Sequence, residues 1–386
     1  MGNPRSFLAL ATVLIGFCCP SFASNEYVIV NNGNYISNSA ILYRLNTKTG
    51  RMAKVAVLRT GGEGTTGEFY VGQVEQAVSA EAGCIFVLDG GSSDIAAFSK
   101  ATSYQRVGRY FNPNLIAGTY GGSLALAPGG QLLYAGYSES GNIGVWKVKS
   151  DCTIALAGTY ADEHGVGPIA VTPDGKYLVE SSAESFAALF RINQNNGSLT
   201  ALGAVGFSDG VCARVGYCIP LGLDITRNSA LVVFASSSVD ITHQHAITVA
   251  LTARITSKGL TNLHSWPLGN PDNLAGASFP FFGAAGYAGS GGLYLGVQLG
   301  GGYSPGVLTA TFTERPLKVT VAAANVVDPA VADIAVTGDL MVIAQNPNQV
   351  SVFRIQKSGS LKLLSTTTID EQGEGLFSLS IFPNTR

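Results

Sequence analysis

The most regular feature of the chain is a recurring order of short apolar runs and polar turns. Residues 123–160, 169–205 and 333–369 each contain a short apolar run, a Gly- or Asp-containing turn and a second apolar run. A polar loop, an alternating third run, another turn and a fourth run follow in each segment. β-Branched and aromatic runs between such turns predict hairpins, and no stretch keeps a helical period. The pattern therefore predicts an all-β fold.

Weaker copies of this unit fill the rest of the chain, at residues 77–110, 222–239 and 283–313. The first turns of the successive units lie near residues 80, 128, 173, 227, 289, 338 and 383. The units are thus roughly 45 to 60 residues apart, and four strands at about this repeat length are typical of a β-propeller blade. The spacing predicts a β-propeller with four-stranded antiparallel blades.

The two ends of the chain each carry part of one further unit. The C-terminal segment SLSIFPNTR (378–386) supplies only a first strand, whereas residues 26–59 supply second, third and fourth strands with no first strand before them. Pairing one C-terminal strand with three N-terminal strands completes a seventh blade and removes exposed sheet edges. We therefore expect residues 24–386 to form a single seven-bladed propeller domain.

Residues 1–23 are predicted to be a signal peptide. Arg5 precedes an uncharged apolar stretch, and Ser21-Phe22-Ala23 fits cleavage after Ala23. The apolar stretch is too short for a comfortable membrane span, and lipid attachment at Cys18 or Cys19 is the alternative. The expected location is secreted or periplasmic.

Four cysteines remain after the predicted cleavage, namely Cys84, Cys152, Cys212 and Cys218. An even number in an exported protein favours disulfides. A bridge between Cys212 and Cys218 would close a short loop, which leaves Cys84 and Cys152 as the second pair. None has the CxxC spacing of a zinc site, so all four are interpreted as structural.

Composition narrows the range of partners. Only 12% of the residues are charged and the formal net charge is -2. A near-zero net charge argues against a nucleic-acid partner, since phosphate binding needs an excess of Lys and Arg. The chain has no P-loop, GxSxG elbow, dinucleotide fingerprint or EF-hand loop, so no cofactor is predicted.

The segments VTPDGKYLV (171–179) and LFRINQNNGSLTAL (189–202) resemble the lactonase-like seven-bladed propellers, the group that includes 6-phosphogluconolactonase and muconate-lactonizing enzymes. The resemblance covers the pattern of the whole chain after the predicted signal peptide and is sharpest in three blades. It implies a ligand site at the mouth of the central channel. Related propellers that only bind or scaffold share the same turn phrase.

In that family a histidine often lies about five residues before the turn proline, at the channel mouth. The matching positions here hold Ser123, Pro168, Gly222 and Ser378, and none of them is histidine. The expected function is therefore that of a secreted binding or scaffold protein that takes a small molecule, sugar or peptide at the channel mouth, and the expected oligomeric state is a monomer. The alternative is a lactonase-like hydrolase or isomerase acting on a lactone or sugar-derived substrate.

Candidate site residues converge on one face of two neighbouring blades. His164 lies in a blade-to-blade linker, Arg214 in the next linker, and Asp240, His243 and His245 between the second and third strands of the following blade. The carboxylates of Asp162 and Glu163 belong to the same face. Tyr303, in the segment GGGYSPG, is a further candidate for contact with a sugar or peptide.

Three interpretations of these residues remain open. His243 and His245 point the same way on an extended chain and, with Asp240, could hold a metal such as zinc, although His-x-His alone is a weak motif. Alternatively, Arg214 binds a substrate carboxylate while His164 acts as a general base. The third interpretation is a solvated polar loop with neither role.

Overall fold

The computed structural model describes residues 25–34, 36–64, 77–80, 83–115, 121–138, 140–162, 166–182, 185–208, 210–215, 218–240, 245–268, 285–288, 292–299, 304–314, 317–328, 331–345, 348–370 and 378–383. The predicted signal peptide, residues 1–23, lies outside these residues.

The described chain is almost entirely β-structure. Its first fifteen strands are β1 (Asn25–Asn31), β2 (Ser39–Asn46), β3 (Met52–Arg59), β4 (Ala77–Ala80), β5 (Cys84–Asp89), β6 (Asp94–Ser99), β7 (Gln105–Phe111), β8 (Gly121–Leu126), β9 (Leu132–Tyr137), β10 (Asn142–Val148), β11 (Ile154–Ala161), β12 (Ile169–Val171), β13 (Tyr177–Ser182), β14 (Phe186–Ile192) and β15 (Leu199–Gly206). A 3-10 turn spans Lys100–Thr102, and one short helix, α1, spans Gly210–Val215.

Thirteen further strands follow α1: β16 (Cys218–Ile225), β17 (Leu231–Asp240), β18 (His245–Thr256), β19 (Gly259–Pro267), β20 (Ala285–Ala288), β21 (Gly292–Leu299), β22 (Ser304–Glu314), β23 (Leu317–Val326), β24 (Val331–Thr337), β25 (Leu340–Gln345), β26 (Gln349–Ile355), β27 (Leu361–Thr368) and β28 (Ser378–Pro383).

The strands form seven four-stranded antiparallel sheets, the blades of a propeller. Blade 1 has the order β28-β1-β2-β3, and blades 2 to 7 each use four consecutive strands, β4–β7, β8–β11, β12–β15, β16–β19, β20–β23 and β24–β27. The predicted seven-bladed, four-stranded architecture is confirmed.

The core lies between the blades. Seven clusters of buried apolar side chains are present, and each joins two neighbouring blades. This follows from strand geometry, because successive side chains point to opposite faces of a sheet and each face is covered by the next blade. In β13, for example, Leu178 packs toward blade 3 and Val179 toward blade 5. The third strands accordingly read as almost continuous buried runs.

The ring closes as the sequence predicts. β28 pairs antiparallel with β1, with Val30 opposite Leu379 and Val28 opposite Ile381. Val28, Val30 and Leu379 are buried against blade 7 side chains such as Val342. The C-terminal strand is therefore part of the core.

A glycine turn of blade 4 packs closely against blade 3. Gly197, in the turn before β15, has φ +80°, and a Cβ there would lie 2.7 Å from Leu132 of the preceding blade. Its carbonyl accepts a hydrogen bond from the Tyr134 hydroxyl at 3.1 Å. Glycine is required at this position both by its backbone conformation and by the close approach of the preceding blade.

Both predicted disulfides are confirmed. Cys84 pairs with Cys152, which links blade 2 to blade 3 over a sequence separation of 68. Cys212 in α1 pairs with Cys218 at the start of β16, over a separation of 6.

The alternating strand directions divide the ring into two faces. We call the face with the second-to-third-strand loops and the blade-to-blade linkers the linker face; described examples are residues 36–38, 90–93 and 166–168. We call the opposite face, with the tight turns inside each strand pair, the turn face. Within the described residues, no helix is both long and apolar enough to cross a membrane.

Candidate functional site

The backbone of the predicted site residues lies on the linker face where it is described. Asp240 ends β17, His245 begins β18, and the two are cross-strand partners at the tip of this hairpin. Arg214 lies in α1, which packs against β17 and β19 of the same blade. His164, His243 and Tyr303 lie outside the described residues. The proposed roles of all these residues remain predictions.

Metal binding has no additional support from the described side chains. Among them, no group of three or more His, Cys, Asp or Glu side chains is arranged to hold an ion. The weak candidates His243 and His245 are not tested by this observation, because their side chains are not among those described.

Ser123, near the start of the first strand of blade 3, joins two blades on the linker face. Its hydroxyl donates to the carbonyl of Gly167 at 2.9 Å and accepts from the backbone N–H of Ile169 at 3.1 Å. Ser123 is fully buried. At this position, where the related family often has histidine, the side chain is occupied in joining blade 3 to blade 4.

Asp333 is the blade 7 counterpart of Ser123, and the sequence prediction missed it. Ser123 lies opposite Gly136 and Asp333 opposite Ala344, at the same register of their blades. The Asp333 carboxylate accepts from the N–H of Leu379 at 2.9 Å and from that of Ile334 at 2.8 Å. It therefore joins blade 7 to the closing strand β28. Matching positions in other blades lie about five residues before a turn proline, and the turn after β24 has no proline. Aligning the first strands of the blades would have identified Asp333.

Burial changes the acidity of Asp333. The carboxyl group is fully enclosed, and desolvation raises its pKa to about 7, against the lowering effect of the two backbone N–H groups. Both oxygens of this buried carboxyl group accept backbone N–H groups, so its contacts fit a structural role at the closing strand.

Glu180 is an exception in the repeated core. It lies opposite Ile169 on the second strand of blade 4 and is 1% exposed. The residues at the same register in the other six blades are all apolar and buried: Val30, Val87, Ala135, Phe234, Leu295 and Ile343. A single carboxyl group thus replaces a core side chain near the linker face, at the interface of blades 3 and 4.

Glu180 is hydrogen-bonded to Asp162, the residue after β11. Burial raises the pKa of Glu180 well above its usual value, and the adjacent Asp162 carboxylate raises it further. Two carboxyl groups can share a hydrogen bond only when one is protonated, so this pair holds a proton. The second carboxyl oxygen of Glu180, Oε2, is buried without a hydrogen-bond partner. Glu180 was also missed by the sequence analysis, because it stands inside a run that predicts core.

A second polar cluster joins blades 1 and 2. Asn38 donates from Nδ2 to Oδ1 of Asp89 at 2.7 Å, and Arg109 forms a two-point ion pair with the fully buried Asp94 at 2.7 and 2.8 Å. These contacts connect the loop of blade 1 to blade 2, so the geometry of the cluster fits a structural joint between loops.

The two faces carry opposite charge. Described linker-face positions include nine acidic residues and three basic ones, Arg59, Arg109 and Arg214; the acidic residues are Glu63, Asp89, Asp94, Asp162, Glu180, Asp240, Asp328, Asp333 and Asp370.

Described turn-face positions include six acidic residues, Glu26, Asp151, Asp174, Asp224, Glu314 and Asp339, and sixteen basic ones. The basic residues are Arg44, Lys48, Arg51, Lys54, Lys100, Lys147, Lys149, Lys176, Arg191, Arg227, Arg254, Lys258, Lys318, Arg354, Lys357 and Lys362. Arg106 is left out of this number because its guanidinium donates to the carbonyl of Thr60 in a blade-to-blade linker. The small net charge of the whole chain is therefore a difference between an acidic face and a strongly basic one.

The fold of the chain is similar to the folds of solved structures of other proteins. The chain is similar to a candidate 6-phosphogluconolactonase from Bacteroides fragilis NCTC 9343, with 14% identity, a TM-score of 0.68, and coverage of 94% of this chain and 99% of that one. It is also similar to the periplasmic gluconolactonase of Pseudomonas aeruginosa, with 14% identity, a TM-score of 0.67, and coverage of 93% and 99%. No protein-family model and no curated protein sequence matches the chain.

Together with the seven four-stranded sheets, these similarities show that the fold is a seven-bladed β-propeller similar to the folds of these two proteins. The predicted resemblance is confirmed at the level of the fold. At these identities the similarity shows the fold alone, so substrate and activity have to be argued from the residues of this chain.

Proposed function

We propose that the chain is an exported propeller that binds a neutral or positively charged ligand at the channel mouth on the linker face. The ligand class is a small molecule, sugar or peptide. The observation that carries the proposal is the acidic character of this face, with nine described acidic residues against three basic ones. The excess persists when the protonated Glu180, the partly protonated Asp333 and the Asp94–Arg109 ion pair are set aside.

The charge of a concave site selects the charge of its ligand. A face with excess carboxylates attracts cations and repels anions, and the effect is strongest where low-dielectric walls concentrate the field. A phosphorylated sugar acid would need the opposite arrangement, with several Arg or Lys side chains around the phosphate. The linker face thus favours an uncharged or cationic ligand over a sugar phosphate.

The hydrogen bonds at the channel mouth favour binding over catalysis. Ser123 and Asp333 hold neighbouring inner strands together through buried backbone groups. Side chains used in this way are not available to attack a substrate, since losing these hydrogen bonds would leave buried N–H groups unpaired. The channel mouth is therefore a rigid frame for a ligand.

Export is supported by two independent features. Residues 1–23 have the sequence of a signal peptide, and two disulfides join cysteines of the described chain. Disulfides persist in the periplasm and outside the cell.

A matched series of sugars tests the charge preference. Glucosamine, glucose and glucose 6-phosphate present the same ring with positive, neutral and negative charge, and calorimetry on the mature protein measures each affinity at low salt. We expect glucosamine to bind at least as tightly as glucose, and glucose 6-phosphate to bind most weakly. Tightest binding of the phosphate sugar would overturn the proposal.

The Glu180–Asp162 pair favours one second candidate, a hydrolase or isomerase acting on a neutral lactone. A carboxyl group whose pKa is raised can serve as a general acid, and the pair adjoins the linker that contains His164. Proton release from glucono-1,5-lactone, measured with and without a chelator, separates the two functions. Turnover above the spontaneous rate that is lost on combined replacement of His164, Arg214, His243 and His245 would establish the enzyme, whereas no turnover supports binding alone.

A further inference from the structure

The turn face carries exposed cations around the whole ring. Each blade has an exposed Lys or Arg in, or within two residues of, the turn between its third and fourth strands: Lys48, Lys100, Lys149, Arg191, Lys258, Lys318 and Lys357. The repeat is independent of the side chains that build the core. It distributes positive charge evenly instead of concentrating it in one groove.

Few acidic groups offset this charge. Lys176 pairs with Asp174 at 3.0 Å and Arg354 with Asp339 at 3.3 Å, and the described turn-face positions hold six acidic residues in all. Exposed pairs of this kind are weak and screened by salt, so they leave the field of the remaining cations largely intact.

The turns that present these cations are short. The loops between the third and fourth strands run from two residues (257–258, in blade 5) to six (193–198, in blade 4). Short turns of similar length at the same ends of the strands produce a broad, shallow face rather than a cleft. A shallow face with distributed cations is complementary to a planar anionic surface, since all seven blades can approach it together.

We propose that the turn face docks the protein on an anionic phospholipid bilayer. The contact is peripheral and electrostatic: lysine and arginine side chains from several blades lie among lipid phosphates, and the linker face points away from the membrane. This orientation leaves the channel mouth open to ligands from the surrounding medium. Because the attraction depends on surface potential, it is confined to within about a Debye length, roughly 10 Å at 0.1 M salt.

Vesicle co-sedimentation tests this docking surface. The mature protein is mixed with vesicles of phosphatidylcholine alone or of phosphatidylcholine with 30% phosphatidylglycerol, at about 0.1 M and about 0.5 M salt. We expect binding only to the phosphatidylglycerol vesicles and only at the lower salt. Equal binding to both lipids, or no binding to either, would overturn the proposal.

A variant with Lys48→Gln, Lys149→Gln, Lys258→Gln and Lys357→Gln removes one exposed cation from each of four blades. Each cation near an anionic membrane contributes about a five-fold factor, so the partition coefficient should fall by roughly two orders of magnitude or more. The residues are exposed, so the melting temperature should stay within about 2 °C of the wild type. An unchanged partition coefficient in this folded variant would contradict the assignment.

A matched control changes the net charge on the other face. Glu63→Gln, Asp328→Asn and Asp370→Asn make the protein more positive at exposed linker-face positions. Docking through the turn face predicts unchanged vesicle binding, whereas attraction through net charge alone predicts tighter binding. Binding to soluble heparin and to duplex DNA is compared at equal concentration of negative charge. Tighter binding to either than to the vesicles would overturn the proposal and indicate that the turn face binds a soluble polyanion.

Discussion

The carboxyl groups of Glu180 and Asp162 are hydrogen-bonded to each other at the interface of blades 3 and 4. The same register in every other blade holds an apolar side chain. The pair places one proton inside the ring, next to the linker face.

Stability should depend on the protonation of Glu180. Its pKa is raised in the folded state above the 4.5 of an ordinary glutamate, so the folded chain holds this proton more tightly than the unfolded chain. The resulting stabilisation is complete below pH 4.5 and is lost as the pH rises through the folded pKa. The slope reaches about 1.4 kcal/mol per pH unit for one proton.

Glu180→Gln keeps a hydrogen-bond donor for Asp162 but has no proton to lose. We therefore expect its melting temperature to fall less than that of the wild type between pH 5 and pH 8. Ala135→Gln provides a control, because it places the same amide at the equivalent register of blade 3 without a carboxylate partner. Parallel melting curves for Glu180→Gln and the wild type across this range would contradict the shared proton.

Asp333 should determine how firmly β28 is held. Asp333→Ala leaves the buried N–H groups of Leu379 and Ile334 without their acceptor, which costs about 1–3 kcal/mol. Asp333→Ser introduces a hydroxyl that can accept a backbone N–H, as Ser123 does in blade 3, and should recover part of this loss. Chemical denaturation measures both variants, and equal stability of the Ala and Ser variants would remove the analogy with Ser123.

The pH response of Asp333 has the same sign as that of Glu180. Its pKa of about 7 exceeds the ordinary 3.8, so its stabilising contribution is present below pH 3.8 and is lost as the pH rises through about 7. Asp333→Ser should remove this part of the pH dependence and leave the part due to Glu180. NMR titration of a carboxyl-labelled protein would locate each group directly.

The closing strand should be indispensable. Removal of residues 378–386 deletes β28, exposes the edge of β1 and uncovers the buried Val28 and Val30. We expect aggregation or a broad, non-cooperative unfolding transition in calorimetry. Removal of residues 384–386 alone is the control and should leave the transition unchanged, since β28 stays intact. A sharp transition at the wild-type temperature after the longer deletion would rule out this closure.

The two disulfides should differ in their contribution. In the loop-entropy description, a separation of 68 residues corresponds to about 4 kcal/mol and one of 6 residues to about 2 kcal/mol. The Cys84→Ala/Cys152→Ala pair should therefore lower the free energy of unfolding more than Cys212→Ala/Cys218→Ala. Denaturation under identical oxidising conditions compares them, and the reverse order would indicate that local strain or packing dominates.

Much of the architecture is determined by sequence pattern. The turn spacing gives seven blades, and the unmatched strand in SLSIFPNTR gives the closure with β1. Both are local signals, because each strand alternates or stays apolar according to the blades on either side of it. The cysteine spacing likewise predicts the two disulfides.

The site chemistry is less accessible to the sequence. No turn proline marks the register of Asp333. Glu180 lies within an apolar strand, and nothing in the sequence around it indicates that Asp162 is its partner. Asp162 is 18 residues away in the numbering and meets Glu180 only because the linker returns across the blade interface. The positions of the histidines predict a site at His164, His243 and His245 instead, and the roles of these residues remain predictions.

The sequence by itself therefore determined the repeat, the blade count, the ring closure and the cysteine pairs. The tertiary structure decided which charges lie together. A formal net charge of -2 sums over the whole chain, whereas alternating strand directions send most lysines and arginines to one face and most linker carboxylates to the other. Electrostatic recognition depends on local potential and not on that sum, so both proposed surfaces could be located only once the strands were arranged in the ring.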